Sequence, residues 1–263
     1  MYKTGTVEFS LKKRLPIPSY LMTLYAYPMI LVVTIAGIFL FPFLFAACKV
    51  VTGWTHDRIM RALIWLYGRA WIVVMLPFVR FYRQGFDEAV MSPPRVFVVN
   101  HYSFFDTFCM ALLPFHNIAI AVRAWPFKMF WYAPFMRLAR YINVEDSRLE
   151  GTLSAGAEVL KSGGSVLFFP EGHRSRDGRL NRFSSGAFEL ACRTGVKVAP
   201  LCITGTDVLL PPGRWSMRPA KICLKALPPI DPSDFKGPGA HIELRKYTKE
   251  LMAKTIAAMQ AEQ

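Results

Sequence analysis

The feature that most restricts this chain is an uncharged run. From Leu15 to Cys48 there is no Asp, Glu, Lys or Arg. That length exceeds the roughly 20 apolar residues that cross a bilayer. The run is too long and too aromatic for a cleaved signal peptide. Pro28 and Pro42 interrupt it, with Gly37 between them, so two layouts are open: one kinked span, or two shorter helices that enter and return. Lys12, Lys13 and Arg14 precede the run; Lys49, Arg58 and Arg61 follow it. Basic flanks on both sides leave the positive-inside rule undecided. They favour the re-entrant layout, with both ends at an anionic cytosolic face.

Residues 59–82 form a second apolar segment, punctuated by Arg61, Arg69, Arg80 and Arg83 and carrying Trp65, Tyr67, Trp71 and Phe78. Arginines among aromatics fit a helix lying in the membrane interface; a core helix of the following domain is the alternative. Pro77 should end or kink it. Residues 1–82 are therefore expected to be a membrane-associating helical region, and 83–263 a separate domain with its own core.

In that domain, strands are expected at 95–100, 118–122, 165–169, 197–204 and 220–227. Helices are expected at 104–113, 127–139, 148–161, 184–194 and 241–261. Strands alternating with helices predict an α/β domain: a mixed, mostly parallel sheet flanked by helices. Of 263 residues 53% are hydrophobic, and the formal net charge is +14. Such a balance favours an anionic partner, and a mean hydropathy above zero makes membrane lipid a better candidate than nucleic acid. No zinc-finger, basic-zipper or RNA-recognition pattern is present. Cys48, Cys109, Cys192, Cys202 and Cys223 form no C-x-x-C pair and have apolar neighbours, as reduced buried thiols do.

Two stretches carry polar chemistry. Residues 96–106 read VFVVNHYSFFD and residues 165–175 read SVLFFPEGHRS; each is an apolar run ending in a polar turn. Strand ends are where α/β folds assemble sites. His101 and Asp106 would point apart in one continuous helix. They can meet if His101 lies in the turn and Asp106 in the first turn of the next helix. Ser103, in a Ser-x-x-Asp capping pattern, is placed at the N-cap by that layout. The first stretch alone leaves two readings: Asp106 as the capping partner of Ser103, or Asp106 as a carboxylate holding one nitrogen of a histidine base.

The pair of motifs, His-x4-Asp and Phe-Pro-Glu-Gly-x-Arg-Ser, resembles the glycerolipid acyltransferase family that contains the 1-acylglycerol-3-phosphate acyltransferases. FSSGAFELA at 183–191 and VAPLCI at 198–203 are similar to that family's later blocks. The resemblance covers roughly residues 83–227. It implies acyl transfer from acyl-CoA or acyl carrier protein (ACP), as co-substrate, to a lysophospholipid hydroxyl. His101 would be the base oriented by Asp106, and the bound acceptor would attack directly. It implies that Glu171, Gly172, Arg174 and Ser175, with Asn100 and Ser103, bind substrate. Arg174 suits a phosphate by bidentate contact. Ser103 lacks the Gly-x-Ser-x-Gly setting of a nucleophile. No metal or other cofactor is expected. The expected location is a membrane, at the cytoplasmic face of the inner membrane.

The resemblance departs at 140–146, RYINVED. Arg140 stands where the family has Gly, and Asp146 where it has Arg. Either Arg140 or Arg148 substitutes for that Arg, or the acceptor lacks the usual phosphate and is a lyso-aminolipid or other specialised lipid. His173 stands where Thr is common. The aromatic stretch 126–134, PFKMFWYAP, suits an acyl groove or a lipid contact, and also plain core packing. Two readings from other classes stay open: a metal-assisted hydrolase using His101, Asp106, Glu171 and His173, and a non-catalytic lipid-binding scaffold.

Overall fold

A computed structural model describes residues 19–88, 92–145, 149–175 and 178–262. Lys12, Lys13, Arg14, Asp146, Arg148 and Arg176 lie outside the described residues. The uncharged run is one helix, α1 (Ser19–Thr52), with Pro28 and Pro42 inside it. The two-helix layout is therefore corrected. Each proline removes one backbone hydrogen bond, whereas reversing the chain within an apolar stretch would strand a whole turn's backbone groups. At 1.5 Å per residue α1 is about 50 Å long. It is apolar enough to cross a membrane, and only 6% of its most apolar window is buried against the protein.

α2 (His56–Met75) follows and is packed on α1. It buries Ile59, Met60, Trp71, Ile72 and Met75, so it is a core helix rather than one lying free in an interface. Arg61 is itself buried. It is held by Asp57 at 2.9 Å, the Ala139 carbonyl and Asn117 Oδ1, the partners a buried guanidinium requires. The helix stops at Met75, just before Pro77.

The sheet has seven strands in the order β1-β7-β6-β2-β5-β3-β4. They are β1 (Val79–Gln84), β2 (Val96–Val99), β3 (Ile118–Val122), β4 (Ile142–Asn143), β5 (Ser165–Phe168), β6 (Val198–Thr204) and β7 (Ala220–Ala226). β6 and β7 are antiparallel; every other pairing is parallel. Five of the expected strands are present. β1 and β4 are additions, and β1 carries the sheet across the expected 82/83 boundary. Arg80 and Arg83, three apart, give 79–84 the look of a helix flank, but its burial pattern is that of an edge strand. β2, β5 and β6 are buried along their whole length, which is why they read as unbroken apolar runs.

The remaining helices are α3 (Asp106–Cys109), α4 (Ala133–Leu138), α5 (Leu149–Lys161), α6 (Gly186–Thr194), α7 (Thr206–Leu209) and α8 (Ala240–Ala261). Right-handed crossovers fix their sides. The β2-to-β3 and β3-to-β4 connections run one way along the sheet and put α3 and α4 on one face. The β4-to-β5 and β5-to-β6 connections run back and put α5 and α6 on the other. α2 packs on α3 and α4, while α8 packs on α6 and β6. So α1 and α2 cover the first face, and α5, α6 and α8 the second.

The helix expected at 127–139 is broken into a 3-10 turn (Trp125–Lys128) and α4. Between them Phe130 and Trp131 are exposed at 81% and 56%, which excludes core packing for these two rings. Arg140 has φ +52°, the left-handed region where a Cβ costs roughly 1–2 kcal/mol. Glycine is what that backbone prefers. Arg140→Gly should therefore stabilise the protein by about 1 kcal/mol, read as a higher midpoint in thermal or urea unfolding. An unchanged or lower midpoint would show that contacts of the Arg140 side chain outweigh the strain.

Candidate active site

β2, β5 and β6 run side by side and in the same direction, so their C-terminal ends open onto one rim. His101 lies just beyond β2, and Asp106 is the first residue of α3. This is the arrangement in which they can meet. His101 Nδ1 and Asp106 Oδ2 are 2.8 Å apart. The same Oδ2 accepts from Tyr102 N at 2.6 Å and Ser103 N at 2.7 Å, and Oδ1 accepts from the Thr206 hydroxyl. Asp106 is fully buried. Four donors on one carboxylate offset the loss of water around it. The imidazole lies 4.5 Å from the Phe169 ring and keeps 19% of its side chain exposed. Asp106 thus fixes one nitrogen of a ring at the rim, and Nε2 is the nitrogen left for a ligand.

The second motif grips the same residue from the other side. Glu171 Oε1 accepts from His101 N at 2.8 Å, and Ser175 N donates to the His101 carbonyl at 2.8 Å. Glu171 Oε2 accepts from Asn181 N at 2.8 Å. Burial pushes the Glu171 carboxyl above its usual range, against the pull of the two backbone donors from Asn181 and His101. Gly172 has φ +71°, so the turn that carries Glu171 back toward His101 suits a residue without Cβ. Arg174 is exposed at the rim.

Not every expected ligand contact sits at the surface. Asn100 is fully buried and bonds Ile203 through both ends of its amide, Nδ2 to the carbonyl and Oδ1 from the N–H, each at 2.8 Å. Ser103 is fully buried, and its hydroxyl donates to the Leu210 carbonyl at 2.9 Å. Phe105, not Ser103, flanks α3 as its cap. Asp106 reaches back to Ser103 N, while Ser103 Oγ accepts only a long bond from Phe105 N at 3.4 Å and none from Asp106 N. Ser175 is buried too. These three residues frame the rim.

Arg140 precedes β4 and lies near Asp57 and Arg61, at the N-terminal end of the strands. It is on the wrong rim to replace the missing Arg. Arg123, just past β3, reaches the site's rim as Arg174 does. It pairs with Glu145, and its Nη1 lies 2.7 Å from His173 Nε2. The four groups of the metal-hydrolase reading are thus spread over separate partners: Glu171 on backbone N–H groups, His173 on Arg123. Among the described residues no group of three or more His, Cys, Asp or Glu gathers for a metal.

Thr206, Tyr102 and Phe169 support the site and were not assigned to it from sequence. Thr206 had a readable signal: VAPLCITGT is a third apolar run ending in a polar turn at the same rim. Gly205 makes that turn with φ +86°, and a Cβ there would stand 2.0 Å from the Lys221 carbonyl.

Residues 81–204 match the sequence profile of the Acyltransferase family. That stretch is similar to an acyltransferase domain. Among its relatives, the chain is 35% identical over 156 residues to the chloroplastic 1-acyl-sn-glycerol-3-phosphate acyltransferase LPAT1 of Arabidopsis thaliana, covering 56% of this chain and 42% of that one. It is 26% identical to a Pseudomonas aeruginosa 1-acyl-sn-glycerol-3-phosphate acyltransferase, covering 73% and 75%. The chain spans about half the length of the plant relatives it matches. The crystal structure of the 1-acyl-sn-glycerophosphate acyltransferase PlsC from Thermotoga maritima superposes with a TM-score of 0.73 at 26% identity, covering 92% of this chain and 96% of that one. The acyltransferase fold therefore extends beyond the matched profile, to most of the described chain. Both motifs converge on His101, and the Thr206 turn just past the matched stretch reaches its partner Asp106.

Proposed function

We propose that this protein transfers a fatty acyl group from a thioester donor to the free hydroxyl of a lysophospholipid such as 1-acyl-glycerol-3-phosphate. The observation that carries the reading is the Asp106–His101 pair at the rim. His101 Nε2 takes the proton of the acceptor hydroxyl as its oxygen attacks the thioester carbonyl. Asp106 holds the tautomer and stabilises the imidazolium that forms. Collapse of the tetrahedral intermediate expels the thiolate, which takes the proton back from His101. Product is an ester and a free thiol.

Arg174 supplies a charged fork for an anionic headgroup, and α1 holds the rim near lipid. Exposed Phe130 and Trp131, on the segment that follows β3, add apolar rings to the same side of the molecule. A second acceptor class is favoured by one observation: the rim cation Arg123 is already neutralised by Glu145. An acceptor without phosphate fits that charge balance.

The deciding experiment is thiol release by the purified protein, crossing acyl-CoA and acyl-ACP with lyso-lipids that carry or lack phosphate. No release with any pair would remove the reading. Arg174→Ala should raise the KM of a phosphate-bearing acceptor about tenfold or more, with kcat changed far less. An unaltered KM would leave Arg174 as a surface charge.

A further inference from the structure

The long apolar helix and a track of cations lie on opposite faces of the sheet. On the α8 face, the segment that follows the Glu171 turn runs along that helix. The Gly178 carbonyl accepts from Gln260 Nε2 at 3.4 Å, and Ser185 Oγ accepts from Arg245 Nη1 at 2.8 Å. Arg245 and Gln260 are about 22 Å apart along the helix axis. Arg179 and Arg182 come from the segment and Arg245 and Lys249 from the helix, with Arg174 at the active-site end. Arg174, Arg179 and Arg182 are exposed, and Lys249 Nζ stands 6.0 Å from the Phe183 ring centre. Glu243 and Glu250 of α8 lie at least about 100° round the helix from Arg245 and Lys249. The track is tied to the site at its root: Asn181 N donates to Glu171, and the Tyr102 hydroxyl donates to the Gly178 carbonyl at 2.9 Å.

We infer that this track is the docking surface for an acidic carrier protein that bears the acyl thioester. The inference rests on the acyl-transfer reading above and names its donor. Two features select a soluble protein. The track belongs to the face opposite α1, so a bilayer holding α1 meets the other side of the sheet. Its cations are also spread over two elements, from Arg179 beside the Gly178–Gln260 anchor to Arg245 at the Ser185 anchor, and those anchors are about 22 Å apart along the helix, longer than the phosphates of one nucleotide and matched to an acidic helix of about four turns. Complementary charge of this kind speeds encounter and sets orientation.

The test uses the full chain with Arg182→Glu and Lys249→Glu combined. The KM for acyl-ACP should rise at least tenfold, and salt should raise it in the unsubstituted protein. The kcat/KM for the same acyl group on CoA should stay within twofold, which also reports an intact fold. Binding to phosphatidylglycerol vesicles should not change. Equal effects on both donors, no effect on either, or weakened vesicle binding would each overturn the docking surface. Thiol release from acyl-CoA alone in the unsubstituted protein overturns the surface and leaves acyl transfer standing. No release from either donor overturns both.

Discussion

His101→Ala should lower kcat by about 10²–10⁴, the usual contribution of a positioned base, while the protein keeps its fold. The ring is partly exposed, makes one tilted ring contact with Phe169, and donates or accepts one side-chain bond, to Asp106. Its backbone does the structural work: the N–H is held by Glu171 and the carbonyl by Ser175 N, and alanine keeps both. The loss should fall on kcat with both donors and all acceptors, because proton transfer is common to every pair. Thiol release, read beside thermal unfolding, separates the two roles. Activity above a tenth of the unsubstituted level would take His101 out of the mechanism. A collapse in thermal midpoint would assign the ring a structural role that its contacts do not support.

Asp106 is the opposite case, where activity and stability should fall together. Its carboxylate is fully buried and gathers His101 Nδ1, Tyr102 N, Ser103 N and the Thr206 hydroxyl. Asp106→Ala leaves those donors buried without an acceptor, at roughly 1–3 kcal/mol each before relaxation. A total near 3–5 kcal/mol follows from comparable losses of buried charge networks. At about 2–4 °C per kcal/mol for a domain of this size, the thermal midpoint should drop by about 10 °C. Asp106→Asn keeps the volume and one acceptor oxygen, so more of the fold survives. The amide nitrogen, however, cannot accept from His101, and kcat should still fall by 10² or more. Thr206→Val isolates one arm of the network and should cost about 1–2 kcal/mol with a smaller loss of rate. If Asp106→Asn retained full activity, orientation of the imidazole by this carboxylate would not be part of the chemistry.

Much of this layout is legible in the residues. β2, β5 and β6 are buried on both faces, so their composition is apolar from end to end and the runs stand out. The motif turns follow those runs because strand ends must hand polar backbone to side chains or solvent. β1 and β4 were not legible. β1 is an edge strand whose Arg80 faces solvent while Arg83 turns the other way to the Leu112 carbonyl, and β4 pairs over only two residues, too short for any periodicity to show. The Ser103 cap failed for a different reason. Its hydroxyl found the Leu210 carbonyl, a partner 107 positions away that no local pattern encodes. Arg140 shows the same limit. Its place in the block that departs from the family, where Gly is expected, marked it as a candidate, but only the strand direction reveals that it precedes β4 and so sits at the far rim.

By itself the chain's order of residues determined the class of fold, the long uncharged apolar run and the two short polar turns, because each is written in local hydrophobic pattern and turn chemistry. The tertiary structure alone decided that Glu171 holds the backbone of His101, that Thr206 completes the Asp106 shell, and that the apolar helix and the cationic track take opposite faces. These are contacts between strands neighbouring in the sheet but distant in the chain. Their geometry comes from strand order and crossover handedness, which pairwise spacing along a sequence does not carry.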